Sequence, residues 1–199
     1  VSATSAATVG QTIAFRAGTL ATPTIATANS TVAQLIAAAN GGTTDGSKAV
    51  YNFTSANASS TISELTFTVA GTTTATYVKV GSVTAPVVAG TAYLTGLNLV
   101  VPNGGSGLNV DVFVSYPEVG TSGLTSATTS ALTLTTIKST SGNTTTTSVV
   151  SVVAPTMTLV GSKPGYTIVD SSDTLVNGSV KVAEVTVSAD AKGDIKIGQ

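Results

Sequence analysis

The chain has no cysteine, no histidine and no tryptophan in 199 residues, and only 9% of it is charged. Without cysteine there are no disulfides, no thiol nucleophile and no thiolate zinc site. Without histidine the commonest general base and the commonest transition-metal ligand are both missing, which excludes most hydrolytic triads. Eight Lys and Arg against nine Asp and Glu leave a net charge of −1. That balance gives no electrostatic footprint for nucleic acid and no basic patch for anionic lipid. No stretch approaches the roughly 18 consecutive apolar residues of a membrane span, and Val1 to Gly10 lacks both the basic start and the apolar run of a signal peptide. With Val1 in place of an initiator methionine, the expectation is a mature, processed protein or a segment excised from a longer one.

What remains is 42% hydrophobic, with Thr, Ser and Gly supplying most of the polar surface. Such a chain escapes the low-hydrophobicity, high-charge signature of disorder, and its length allows one sizeable core with a smaller second unit. The abundance of β-branched Thr and Val favours pleated sheet. A hydroxyl-rich, weakly charged surface points to an extracellular or cell-surface location.

Strand signals are short, frequent and separated by Gly, Asn or Pro turns. They predict strands at Gln11–Phe15, Thr24–Ala28, Lys48–Ser55, Ile62–Val69, Ala75–Val80, Thr91–Val101, Asn109–Tyr116, Ala131–Lys138, Thr145–Val153 and Thr156–Val160. The core is expected to draw on Phe113, Val112, Leu97, Leu99, Phe67 and Leu65. One helix is predicted between the first strands: Thr31 and Gln34 form a capping box, Val32, Leu35 and Ile36 line one face, and Asn40-Gly41-Gly42 ends it. The fold class is all-β, an immunoglobulin-like β-sandwich with one short crossover helix and a partial second β-unit at the C-terminus. A jelly roll is the alternative.

The chain also repeats itself. Ser55-Ala56-Asn57-Ala58, with Ile62 four residues on, returns as Ser188-Ala189-Asp190-Ala191 with Ile195. Pro23 and Ile25 before the first copy match Pro164 and Tyr166 before the second, and Val9-x-x-Thr12-Ile13-Ala14-Phe15 has the spacing of Val153-x-x-Thr156-Met157-Thr158-Leu159. A period of about 140 residues divides the chain into an N-terminal strand segment (1–20), a complete sandwich (21–161) and an incomplete second unit (162–199). The last of these carries Ile168, Val182, Val185, Val187, Ile195 and Ile197, and leaving such side chains wet forfeits on the order of 10 kcal/mol. Its predicted final strand, Asp194–Ile197, would present an unpaired edge. Association with copies of itself is the expected remedy, with Val9, Ile13 and Phe15 as the donor strand.

A Pro-initiated strand, an Asx/Ser turn, a strand running into Ser188-Ala-Asp-Ala-Lys-Gly-Asp-Ile195 and Thr-rich spacers together resemble the Ig-like repeats of large secreted prokaryotic surface proteins. The likeness covers most of residues 23 to 197 and implies a structural subunit of a surface layer, stalk or filament. A tandem-repeat adhesin or stalk, with flanking repeats in the same polypeptide, is the alternative.

Chemistry has few candidates. Asp170, Asp173, Asp190 and Asp194 could offer oxygens to Ca²⁺, which takes 6 to 8, although acids that bracket turns ordinarily bond their own backbone. No other cofactor is implied. Glu64, Glu118 and Glu184 would have to furnish any glycosidase pair, and the chain's five Tyr and four Phe make a poor sugar platform; a non-enzymatic chain is expected. Lys48, Lys79 and Lys181 with Asn52 are conceivable members of an internal isopeptide bond, but read better as solvated strand residues. Sequons at Asn29, Asn52, Asn57, Asn143 and Asn177 are candidate glycan acceptors, and the Thr144–Thr147 run is a candidate for O-linked sugar.

Overall fold

The computed structural model describes residues 14, 16–26, 34–37, 47–71, 75–119, 128–171, 174, 177–189 and 195–197. They form fifteen strands: β1 (Thr19–Leu20), β2 (Thr24–Ile25), β3 (Gln34–Ala37), β4 (Ser47–Phe53), β5 (Ser55–Ala56), β6 (Ser60–Gly71), β7 (Tyr77–Val80), β8 (Val83–Pro86), β9 (Thr91–Val101), β10 (Leu108–Ser115), β11 (Thr128–Ser141), β12 (Thr144–Val153), β13 (Met157–Val160), β14 (Pro164–Asp170) and β15 (Ala183–Ala189). Among the described residues there is no helix, so none is long and apolar enough to cross a membrane.

Two sheets make the body. One runs β2-β4-β10-β7-β8 and the other β3-β13-β11-β6-β9, with β12 also on β11. β12 and β13 share one edge of β11, β12 along Thr133–Ser141 and β13 along Thr128–Ser130. Alternation explains why each sheet has one apolar face. On β10, Val110, Val112 and Val114 are buried while Asp111 is exposed. Directly opposite residues share a face, so Val110 lies beside Tyr51 and Val112 beside Ala49 and Val80. On β6, Ile62, Leu65 and Phe67 are fully buried, the three-residue step from Ile62 to Leu65 being taken up by a bulge at Ser63.

The two apolar faces meet. Tyr51 of β4 stands edge-on to Phe67 of β6, centroids 5.6 Å apart, and its hydroxyl donates to the Leu132 carbonyl of β11 at 3.2 Å. Tyr116, just past β10, donates to Ser130 Oγ at 2.9 Å, with Met157 Sδ 3.4 Å away. These phenols let large rings enter the core without orphaning their polar ends. The result is an all-β, sandwich-like body.

Three expectations are corrected. Where a crossover helix was predicted, Gln34–Ala37 is a strand, parallel to β13 with Leu35 opposite Thr158; residues 31–33 and 38–40 lie outside the described residues. Over Gln34–Ala37, pairing with a strand more than a hundred residues away overrides the local helical pattern. Phe113 is not a core residue: it lies on the outer face of its sheet, in register with Lys48 and Lys79, the latter's Nζ 6.0 Å from the ring centroid. Ile195–Ile197 is not in a strand. By contrast Val112, Leu97, Phe67 and Leu65 are buried, and Leu99 packs against the core in part.

Candidate assembly site

Among the described residues, the C-terminal segment folds back on itself as a two-stranded hairpin. β14 pairs only with β15, antiparallel, from Pro164 opposite Ala189 to Asp170 opposite Ala183. The Ser171 N–H adds one more bond to the Val182 carbonyl at 3.0 Å. The segment takes this shape because Tyr166-Thr167-Ile168-Val169 and Val185-Thr186-Val187 are strong strand formers around the turn-prone Ser171–Ser179 stretch.

Register sorts the side chains. Tyr166 faces Val187 and Ile168 faces Val185, with Pro164, Ala183 and Ala189 and, at the turn end, Asp170 opposite Ala183 on the same side; Thr167 faces Thr186, Gly165 faces Ser188 and Val169 faces Glu184 on the other. One face is therefore apolar along nearly its whole length and the other mostly polar. Every residue of both strands is exposed, including Tyr166 at 74%, Ile168 at 58% and Val185 at 59%. An isolated two-stranded hairpin is marginal in water, and an apolar patch of this kind marks an interaction surface. Among the described residues each strand is paired on one side only, so both outer edges can accept another strand.

Of the expected assembly residues, Ile168, Val185 and Val187 share this apolar face. Val182 precedes β15 and by alternation belongs with Glu184 on the other side. Ile197 is exposed and Ile195 half-buried, both outside any strand. Val9, Ile13 and Phe15 lie outside the described residues. Where the N-terminal segment becomes describable it is anchored in a way the sequence did not announce. Gly18 N–H donates to Ser141 Oγ at 2.7 Å, and Ser141 Oγ donates to the Ser59 carbonyl at 2.7 Å. A Cβ on Gly18 would stand 2.4 Å from the Ala58 carbonyl oxygen and 2.8 Å from both Ser141 Oγ and Ser60 Oγ. Only glycine fits. Thr19–Leu20, expected to belong to the N-terminal segment, then pairs with Ser55–Ala56.

The remaining candidates are dispersed. Asp170 ends β14, while Asp173, Asp190 and Asp194 lie outside the described residues; among the described residues no three acids cluster tightly enough to hold a metal ion. Glu64 pairs with Lys138 at 2.7 Å on the outer face of the six-stranded sheet, Glu184 pairs with Lys181 on the hairpin, and Glu118 follows β10. Asn52 donates to Asn109 Oδ1 at 2.7 Å and to the Ser106 carbonyl at 2.8 Å, which engages the amide that a glycan would need. Asn57 holds φ of 68° in an exposed bend, Asn143 sits at the β11–β12 hairpin tip and Asn177 in an exposed bend; Asn29 is outside the described residues. A groove of about 440 Å³ beside β10 is lined by Leu99, Leu108, Val110 and Phe113 and carries a single carboxylate, Asp111. No family model, curated protein or solved structure matches this chain.

Proposed function

We propose that the chain is a non-enzymatic structural subunit of an extracellular filament or surface layer, built on an immunoglobulin-like sandwich and polymerising with copies of itself by β-strand complementation. The observation that carries this reading is the β14–β15 hairpin, with its unpaired edges and an exposed apolar face of Tyr166, Ile168, Val185 and Val187. Burying four such side chains contributes roughly 6 kcal/mol or more before the cost of association. Against an association cost of about 4 to 15 kcal/mol, that burial supplies a large share of the driving force, and the main-chain bonds of an added strand supply more. The dispersal of the acids, two of them spent in ion pairs, supports a structural over a catalytic role.

One observation favours a second reading. The hairpin begins at Pro164 as the β2–β4 pair follows Pro23, which supports reading it as the opening of a second sandwich. In a tandem-repeat adhesin or stalk the covering layer would come from the same polypeptide. The mass of the native chain separates the two.

The direct test replaces Ile168 and Val185 together by serine. Sedimentation velocity and negative-stain images of the parent should show polymers, and the Ile168→Ser/Val185→Ser protein should stay monomeric while its sandwich still melts in one cooperative transition. Polymers of unaltered size in the double variant would remove the hairpin from the joint.

A further inference from the structure

The two chain ends leave the sandwich at opposite poles. β11 runs the length of the body, 14 residues or about 45 Å at roughly 3.3 Å per residue. Its C-terminal end, Ser141, holds Gly18, so the N-terminal arm departs there. Its N-terminal end, Thr128, lies opposite Leu159, from which β13 leads through Gly161 into the hairpin. The arm is fixed at its root because Gly18 is wedged between Ser60, Ser141 and the Ala58 carbonyl.

Reach decides which hairpin the arm can meet. Val9 lies nine positions before Gly18, which at roughly 3.4 Å per residue is about 30 Å of extended chain. Even at full extension, then, Val9–Phe15 could not reach the pole from which its own hairpin projects. A second copy, placed head to tail, presents its hairpin where the arm emerges. The chemistry matches as well. In an extended arm Val9, Ile13 and Phe15 fall on one side with Gln11, and the Ile13/Phe15 spacing is that of Met157 and Leu159, which β13 buries in the core. In the sandwich β13 belongs to one sheet and the β2–β4 pair to the other. The arm and the hairpin are thus pieces of facing layers.

We propose that the Val9–Phe15 arm of one copy packs its apolar side on the Tyr166/Ile168/Val185/Val187 face of the next. This assignment rests on the reading that the chain assembles with copies of itself, and names the partner within that assembly. Because the contact is between different surfaces at opposite poles, it propagates as an open linear array.

The absence of cysteine makes the test clean. Full-length Ile13→Cys and Val185→Cys proteins are mixed, oxidised and run on non-reducing gels. Disulfide-linked dimers should form at least tenfold more in this mixture than when Ile13→Cys is mixed with Val149→Cys, a site 86% exposed on β12. Three results overturn the arm assignment while leaving self-assembly intact: polymers without the Ile13–Val185 link, an equal yield with Val149→Cys, or Val185→Cys alone dimerising as efficiently as the mixture, which would mean hairpin-to-hairpin pairing. A parent protein that stays monomeric across the soluble concentration range overturns the assembly reading itself.

Discussion

Tyr51 and Tyr116 are the residues at which the core is most sensitive to solution conditions. Burial pushes the Tyr116 hydroxyl up to about 12 and raises Tyr51 further in the same direction. An unfolded tyrosine ionises near 10. Below that pH both states hold the proton and the full contribution is present; between about 10 and 12 the unfolded chain releases protons that the folded chain keeps. Stability should then fall by up to about 1.4 kcal/mol per pH unit for each tyrosine. Denaturant midpoints measured at pH 8, 10 and 11 should show this decline, and Tyr116→Phe should make it shallower. The same variant should cost about 1 to 3 kcal/mol at pH 8, because it leaves the fully buried Ser130 hydroxyl without that phenol. A Tyr116→Phe protein with an undiminished slope would mean that the hydroxyl ionises freely in the folded state. Gly18 shows the limit of sequence reading at this scale: nothing in Arg16-Ala17-Gly18-Thr19 signals that Ser60 and Ser141, far along the chain, close around it.

At the scale of the element, the legible parts are those whose partners lie on a single face. Thr91–Val101 falls where alternation and the preceding Gly90 place it, and Thr144–Val153 and Met157–Val160 lie within a residue of expectation. Val110-Asp111-Val112-Phe113-Val114 is ambiguous because both parities carry an apolar residue. The three valines win the core, and the phenylalanine goes out beside Lys79. β8 lies outside the strands expected from the sequence, although Gly81, with φ of 58°, and Ser82 form a two-residue hairpin turn between Val80 and Val83. β3 could not be read locally at all, since its strand character comes from β13. These assignments make a paired prediction. Phe67→Ala should cost about 3 to 5 kcal/mol, whereas Phe113→Ala should cost about 1 kcal/mol, a half-buried ring and one weak cation–π contact. Equal losses in urea unfolding would mean that β10 is turned over.

The whole molecule divides into a body that has solved its burial problem and a hairpin that has not. The core cluster reaches from Ala49 to Leu159 and includes no residue of β14 or β15, and those two strands are exposed at every position. Alternation made the hairpin's apolar side legible, because Ile168, Val185 and Val187 recur at every second position of their strands. What alternation could not give was the polarity, since that depends on Gly18 and Leu159 meeting opposite ends of β11. If the sandwich is thermodynamically independent of the hairpin, removing residues 164–199 should leave a monomer that melts within about 2 °C of the parent in its unassembled form, less than 1 kcal/mol for a chain of this size. The comparison must be made with the Ile168→Ser/Val185→Ser protein, because polymerisation itself raises the parent's apparent stability by mass action. The shortened chain keeps the arm but offers no hairpin, so added to growing polymers it should bind one end and stop extension there, shortening them in proportion to its concentration. A drop in melting temperature of more than about 5 °C would show that the hairpin belongs to the cooperative unit, and a shortened chain that polymerises as the parent does would show that the joint lies elsewhere on the sandwich.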